Sequence, residues 1–123
     1  MLGPTLPHVK WILPHAPQQS VTANFGMIMP SWFDIKDFSF NSAEDERGML
    51  TSVRMLEGVI RQEVESGLDA SRIVLGGFSQ GGVMSLLGGL TSERKLGGVV
   101  VLSAWLPLQA KFKAVSDIVK PSL

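Results

Sequence analysis

The residue in this sequence best suited to covalent chemistry is Ser79, which sits in Gly77-Phe78-Ser79-Gln80-Gly81. That spacing is G-x-S-x-G, in which a strained turn from strand to helix lifts a serine hydroxyl clear of a sheet, ready to attack a carbonyl carbon. The backbone N–H of Gln80 would open the helix and point at the oxyanion formed in that attack. Glycine at 77 and 81 lets strand and helix approach without a Cβ between them. In a chain of this composition the pattern arises by chance about 0.14 times, so its surroundings have to decide. The competing reading makes Ser79 no more than the cap of a glycine-rich helix start.

A serine hydroxyl needs a base, and around this turn the partners follow in chain order, an Asp or Glu and then a His. Both histidines, His8 and His15, precede Ser79, and Asp117 is the one aspartate after it. His15, in Pro14-His15-Ala16-Pro17, reads as a hydrogen-bonded loop residue, and Asp117 as a solvated charge.

The elements that must position Ser79 are legible on both sides of it. Ile73 to Leu75 is a short apolar strand entering the turn, and Val83, Met84, Leu86, Leu87 and Leu90 recur at helical spacing after it. Gly98 to Leu102 is a β-branched run, apolar on both faces, as a strand of a parallel sheet covered by helices should be. Upstream, Leu50, Val53, Leu56, Ile60 and Val64 mark a helix that Ser42 would cap with Asp45 as reciprocal partner, and that Gly67 would stop. Val9 to Leu13 reads as a strand closed by Pro14 and Pro17. Gln18 to Phe40 shows no helical period and reads as an apolar loop that has to pack on something or line something. Strand, helix, strand, helix, strand predicts an α/β fold with right-handed crossovers.

Composition narrows the function classes. Eleven basic residues balance eleven acidic ones along the chain, so the charge stripe of a nucleic-acid binder is missing. There is no cysteine, hence no disulfide or thiolate metal site. The longest apolar run, Leu96 to Leu108, is broken by Ser103 and Pro107 and falls short of the roughly 20 residues that span a bilayer. Residues 1 to 7 hold two prolines and no basic side chain, unlike a secretory leader. The expectation is one soluble cytoplasmic domain of 123 residues, with nuclear entry left open and the oligomeric state unassigned.

Four blocks, in order, carry a more specific resemblance: Pro14-His15-Ala16-Pro17; Pro30-Ser31-Trp32-Phe33-Asp34; Arg72 through Gly82 around the elbow; and Leu102-Ser103-Ala104-Trp105-Leu106-Pro107. Together they resemble the acyl-protein thioesterase family of lysophospholipase-like carboxylesterases, which have the α/β-hydrolase fold. The resemblance implies a cofactor- and metal-free hydrolase acting on S-acylated proteins and on esters such as lysophospholipids. It implies Ser79 as nucleophile, Gln80 as an oxyanion amide, Trp105 as a groove residue, and Met29, Pro30, Trp32 and Phe33 at the acyl chain. Ordinary core packing is the alternative for these apolar side chains, Trp32 and Phe33 above all.

The sequence also departs from the family. Nothing before Val9 resembles the His-Gly-x-Gly-Asp-like turn that supplies the second oxyanion amide, and the later strands with the acid and the histidine have no counterpart. The expectation is a partial α/β-hydrolase fold, truncated at both ends and inactive alone, with a gap between the Val9 to Leu13 strand and the strand before Ser79. The alternative function is a short product that does not catalyse and binds acyl groups or a protein partner through Phe25 to Phe40 and its open sheet edges. Strand exchange between two copies fails on inventory, because a second copy also brings no histidine after the elbow.

Overall fold

The computed structural model describes residues 6–38 and 43–109. Its centre is a β-α-β unit: β3 (Val74–Phe78), α2 (Gln80–Thr91) and β4 (Gly98–Leu102), with β3 and β4 parallel. They are preceded by an antiparallel hairpin, β1 (Gln18–Val21) and β2 (Met27–Pro30), and by the long helix α1 (Glu46–Glu65). Parallel strands cannot be joined by a tight turn, and α2 is the crossover that the apolar spacing after Ser79 predicts.

The parallel pair and both helices follow the sequence reading, with adjusted edges. β4 has the expected bounds, while β3 starts one residue later than Ile73 and runs on through the glycines to Phe78. Gly76 and Gly77 keep extended backbone because they pair with Val100 and Val101. The cap of α1 is Asp45, whose carboxylate accepts from Gly48 N at 3.0 Å; Ser42, expected in that role, lies outside the described residues, as does Asp117. The buried stripe of α1 runs through Met49, Val53 and Ile60, and Leu50 faces outward. Gly67 ends the helix at φ +109, with its N–H on Val64 O at 3.0 Å.

Two expectations fail upstream. Val9 to Leu13 is not a strand: among the described residues nothing pairs with it, and its side chains are exposed. A β-prone run becomes a strand only where a ladder partner satisfies its backbone, and this one is held instead by Lys10 Nζ on Glu63 Oε1 of α1 at 2.5 Å. The stretch from Gln18, read as an irregular loop, contains the β1–β2 hairpin. Its signal is conformational and not periodic: Phe25 and Gly26, at φ 58 and 73, reverse the chain, and Gly26 N returns to Val21 O at 2.9 Å.

The gap expected between two strands has no counterpart as such, because Val9 to Leu13 is not a strand. The edge of β3 away from β4 has no partner among the described residues, and a cavity of 330 Å³ separates Val74, Leu75 and Gly76 from Ile12, Leu13 and Pro14. One face of the β3–β4 pair packs on α2 through Leu75. Val74, Phe78, Val100 and Leu102 share the other face and are all exposed. The core lies between α1, α2 and the loop after β2: Phe33, Met49, Val53, Val83, Met84 and Leu87 are buried together. β3 and β4 end level, and the residue after each, Ser79 and Ser103, takes a positive φ, 54° and 53°.

Candidate active site

Ser79 occupies the bend between β3 and α2 with φ 54 and ψ −118, a conformation that L-residues adopt only under strain. Its N–H donates to Leu102 O at 2.9 Å and its carbonyl accepts from Val83 N at 3.0 Å, so both neighbouring elements hold the bend. The hydroxyl makes no capping bond to α2, and among the described residues nothing else hydrogen-bonds to it. The cap reading of Ser79 therefore fails, and the side chain is left uncommitted at the head of the helix.

The glycines divide the work unequally. A Cβ on Gly77 would overlap the carbonyl of Gly81 and lie 2.5 Å from Gly82 N, so the turn closes only with glycine at 77. A Cβ on Gly81 would meet nothing within 4 Å, contrary to the symmetrical role its place in the motif suggests. What Gly81 contributes is its backbone, the surface that Gly77 packs against. In the same turn Gly82 is also under steric demand, since its Cβ would come 2.7 Å from that of Ala104.

Gln80 begins α2, so its backbone N–H is one of the first-turn donors left unpaired by the helix. Its side chain has a separate use that sequence reading missed. Gln80 Oε1 accepts from Trp32 N at 2.8 Å, and Nε2 donates to Phe33 O at 2.8 Å and to Ser31 Oγ at 3.0 Å. Ser31 Oγ in turn donates to Phe33 O at 2.5 Å. The same loop is held by Ser31 N on Pro17 O at 3.0 Å, by Gln19 Nε2 on Ser31 O at 2.5 Å and by Ser52 Oγ on Trp32 O. Nothing local announces these bonds, because Gln80 reaches residues 47 to 49 positions away.

The remaining predicted residues separate into three groups. Phe33 is 1% exposed and belongs to the core, yet it also meets Trp105 edge-on at 6.2 Å, and the two line a cavity of 620 Å³ beyond β4. Trp105 is 41% exposed, which suits a wall more than a core. Trp32 is half-buried and lines the smaller cavity beside β3. Met29 and Pro30 lie on β2, exposed, and line neither cavity; Ser79 lines neither as well.

Electrostatically the surroundings are quiet. Asp34 accepts from Thr22 Oγ1 at 2.6 Å and Thr22 N at 2.8 Å, and these bonds, the hydroxyl first, hold its carboxyl below the usual range. Asp34 N donates to Asp45 Oδ2 at 2.8 Å, linking the hairpin turn, the loop and the start of α1. His8 and His15 are exposed and neither hydrogen-bonds to Ser79. No group of three or more His, Asp or Glu among the described residues could hold a metal ion, and no helix among them is long and apolar enough to cross a membrane.

Comparison with known proteins agrees with this geometry. The sequence pattern of the phospholipase/carboxylesterase family matches residues 2–120. Acyl-protein thioesterase 1 of Cryptococcus neoformans is 55% identical over 114 residues, 90% of this chain and 48% of the relative. Acyl-protein thioesterase 1 of Yarrowia lipolytica is 52% identical over 105 residues, 85% of this chain and 46% of its own. The crystal structure of Arabidopsis thaliana SOBER1 superposes with a TM-score of 0.83 at 35% identity, covering 89% of this chain and 53% of that one. The chain thus spans about half the length of the relatives it matches.

Proposed function

The chain belongs to the phospholipase/carboxylesterase family, and on that premise we propose that it carries the nucleophilic part of an acyl-protein thioesterase-type serine hydrolase with a partial α/β-hydrolase fold. The observation that supports this most is the strained bend at Ser79, between a parallel strand and a helix, with its hydroxyl uncommitted. Ser79 Oγ attacks the acyl carbonyl carbon and gives its proton to a base. The Gln80 N–H receives the oxyanion, in a turn that Gly77 allows to close against the backbone of Gly81. Collapse of the tetrahedral intermediate breaks the bond to sulfur or oxygen, the leaving group takes up the proton, and water then releases the fatty acid from the serine. The acyl chain is assigned to the apolar cavity walls, Phe33 with Trp105 on one side and Trp32 on the other, with Met29 and Pro30 of β2 at the outer end of the same loop. The substrates are S-acylated proteins or lysophospholipid-like esters, with neither metal nor cofactor required.

Within residues 1–123 no histidine follows Ser79, so we read this stretch as one incomplete hydrolase domain that reacts weakly alone, since base and oxyanion donors act as a unit. A fluorophosphonate probe tests the reading. The 123-residue chain should label slowly and Ser79→Ala not at all. A chimera that adds the flanking segments of the Cryptococcus relative should label fast and turn over a palmitoyl thioester. Labelling that persists in Ser79→Ala would remove Ser79 from the role.

A further inference from the structure

We propose that the Gln80 side chain is a positioning residue that locks the Ser31–Phe33 loop to the elbow, so that the wall for the acyl chain and the oxyanion donor move as one body. The proposal rests on the reading of Met29 to Phe33 as acyl-contacting. A primary amide offers one acceptor oxygen and two N–H donors in a plane. Gln80 uses all of them on one loop: the oxygen on Trp32 N, and the nitrogen on Phe33 O and Ser31 Oγ. Both serine and loop carbonyl are in a dry setting, Ser31 being 3% and Phe33 1% exposed, where a donor or acceptor left without its partner is costly. The main-chain N–H of the same residue is the oxyanion donor proposed above. Displacing the loop therefore pulls on the residue that has to receive the developing charge, and an acyl chain that seats well on the loop fixes that residue in place. Chain-length selectivity and oxyanion geometry are coupled through one side chain.

Substitutions at 80 in the 123-residue chain test this. Gln80→Met keeps the length and removes every polar function; Gln80→Glu keeps the acceptor and regains a donor only when protonated. The two measurements are hydrogen-exchange protection of the Trp32 amide and affinity for a neutral alkyl probe, N-dodecyl dansylamide, from pH 4.5 to 8. The free carboxyl would titrate near 4.3 and burial against the Phe33 carbonyl raises it. Gln80→Glu should approach the parent at pH 4.5, short by the one donor a carboxyl lacks, and lose about tenfold in both measurements by pH 8, a factor in keeping with one or two lost hydrogen bonds. Gln80→Met should be weak throughout. Asp34, which follows the loop in sequence, and Asp45, which accepts from its N–H, are common to all the proteins, so the parent's own profile accounts for them. Parent-like protection and affinity in Gln80→Met, or a Gln80→Glu profile that parallels the parent's, would overturn the proposal. If Gln80→Met does not fold, the titration of Gln80→Glu decides within one sample. If the parent binds no probe while Trp32 protection follows the expected pattern, the lock stands and the acyl reading of the loop falls.

Discussion

The backbone N–H of Ser79 donates to Leu102 O at 2.9 Å, fastening the bend after β3 to the last residue of β4. The positive φ of Ser79 is thus imposed by neighbouring structure and is not a local preference of serine. Glycine would adopt it without strain. Ser79→Gly should therefore be more stable than the parent by about 1 kcal/mol, the lower end of what such a backbone costs, and should lose fluorophosphonate labelling. A Ser79→Gly melt below that of Ser79→Ala would mean that the bend is unstrained.

The two motif glycines predict opposite outcomes. Gly77→Ala puts a methyl into the backbone of Gly81 and Gly82, where nothing flexible can give way, and should cost about 3 kcal/mol or prevent folding. Gly81→Ala meets open space and gains helix propensity, so it should be neutral or stabilising by up to about 1 kcal/mol. Urea denaturation of the two variants checks the contrast.

Sequence reading went furthest where local chemistry and tertiary role agree. The β-α-β unit around Ser79 was legible because a short continuous apolar run gives way to a 3.6-residue period at a glycine-rich joint, and β4 has the bounds its β-branched run suggests. Val9 to Leu13 misled because strand propensity says nothing about whether a partner lies alongside. The hairpin at Gln18 was missed because four-residue strands around a turn carry too short an alternation to detect. The side-chain role of Gln80 was out of reach, since only folding brings residue 80 to residues 31–33.

Asp34 gives a pH prediction. Its carboxyl titrates lower in the folded chain because Thr22 donates to it twice. A group with a depressed folded pKa adds stability above its unfolded value, about 3.9, and loses it as pH falls through the folded one. Asp34→Asn should therefore be less stable than the parent at pH 7, and the difference should shrink below pH 4. A stability gap that stays constant down to pH 2 would show that the Thr22 bonds do not depend on charge.

Leu87 tests the core. It is 1% exposed and packs with Phe33, Met49 and Val83 between the helices. Leu87→Ala should cost about 2–5 kcal/mol, and because Phe33 belongs to the same cluster, the edge-on contact of Phe33 with Trp105 should loosen with it. Near-ultraviolet circular dichroism would report that loss, and an unchanged spectrum would separate Trp105 from the core.

The bare face of the parallel pair predicts association. Val74, Phe78, Val100 and Leu102 lie together in solvent, and an exposed apolar sheet with an open edge recruits further chains. The 123-residue chain should scatter light increasingly with concentration, and Val100→Lys should suppress this several-fold. Scattering unaffected by Val100→Lys would locate the contact elsewhere, with the exposed hairpin tip at Phe25 as the next surface to examine.

Adjacent strands that leave their sheet at one height through residues of the same unusual handedness restrict which amino acids either exit can hold. A side chain forked at Cβ crowds its own peptide groups at such torsions more than a linear one does. Threonine is thereby disfavoured at position 79 relative to serine or cysteine. The backbone at this bend thus favours an unbranched side chain at position 79.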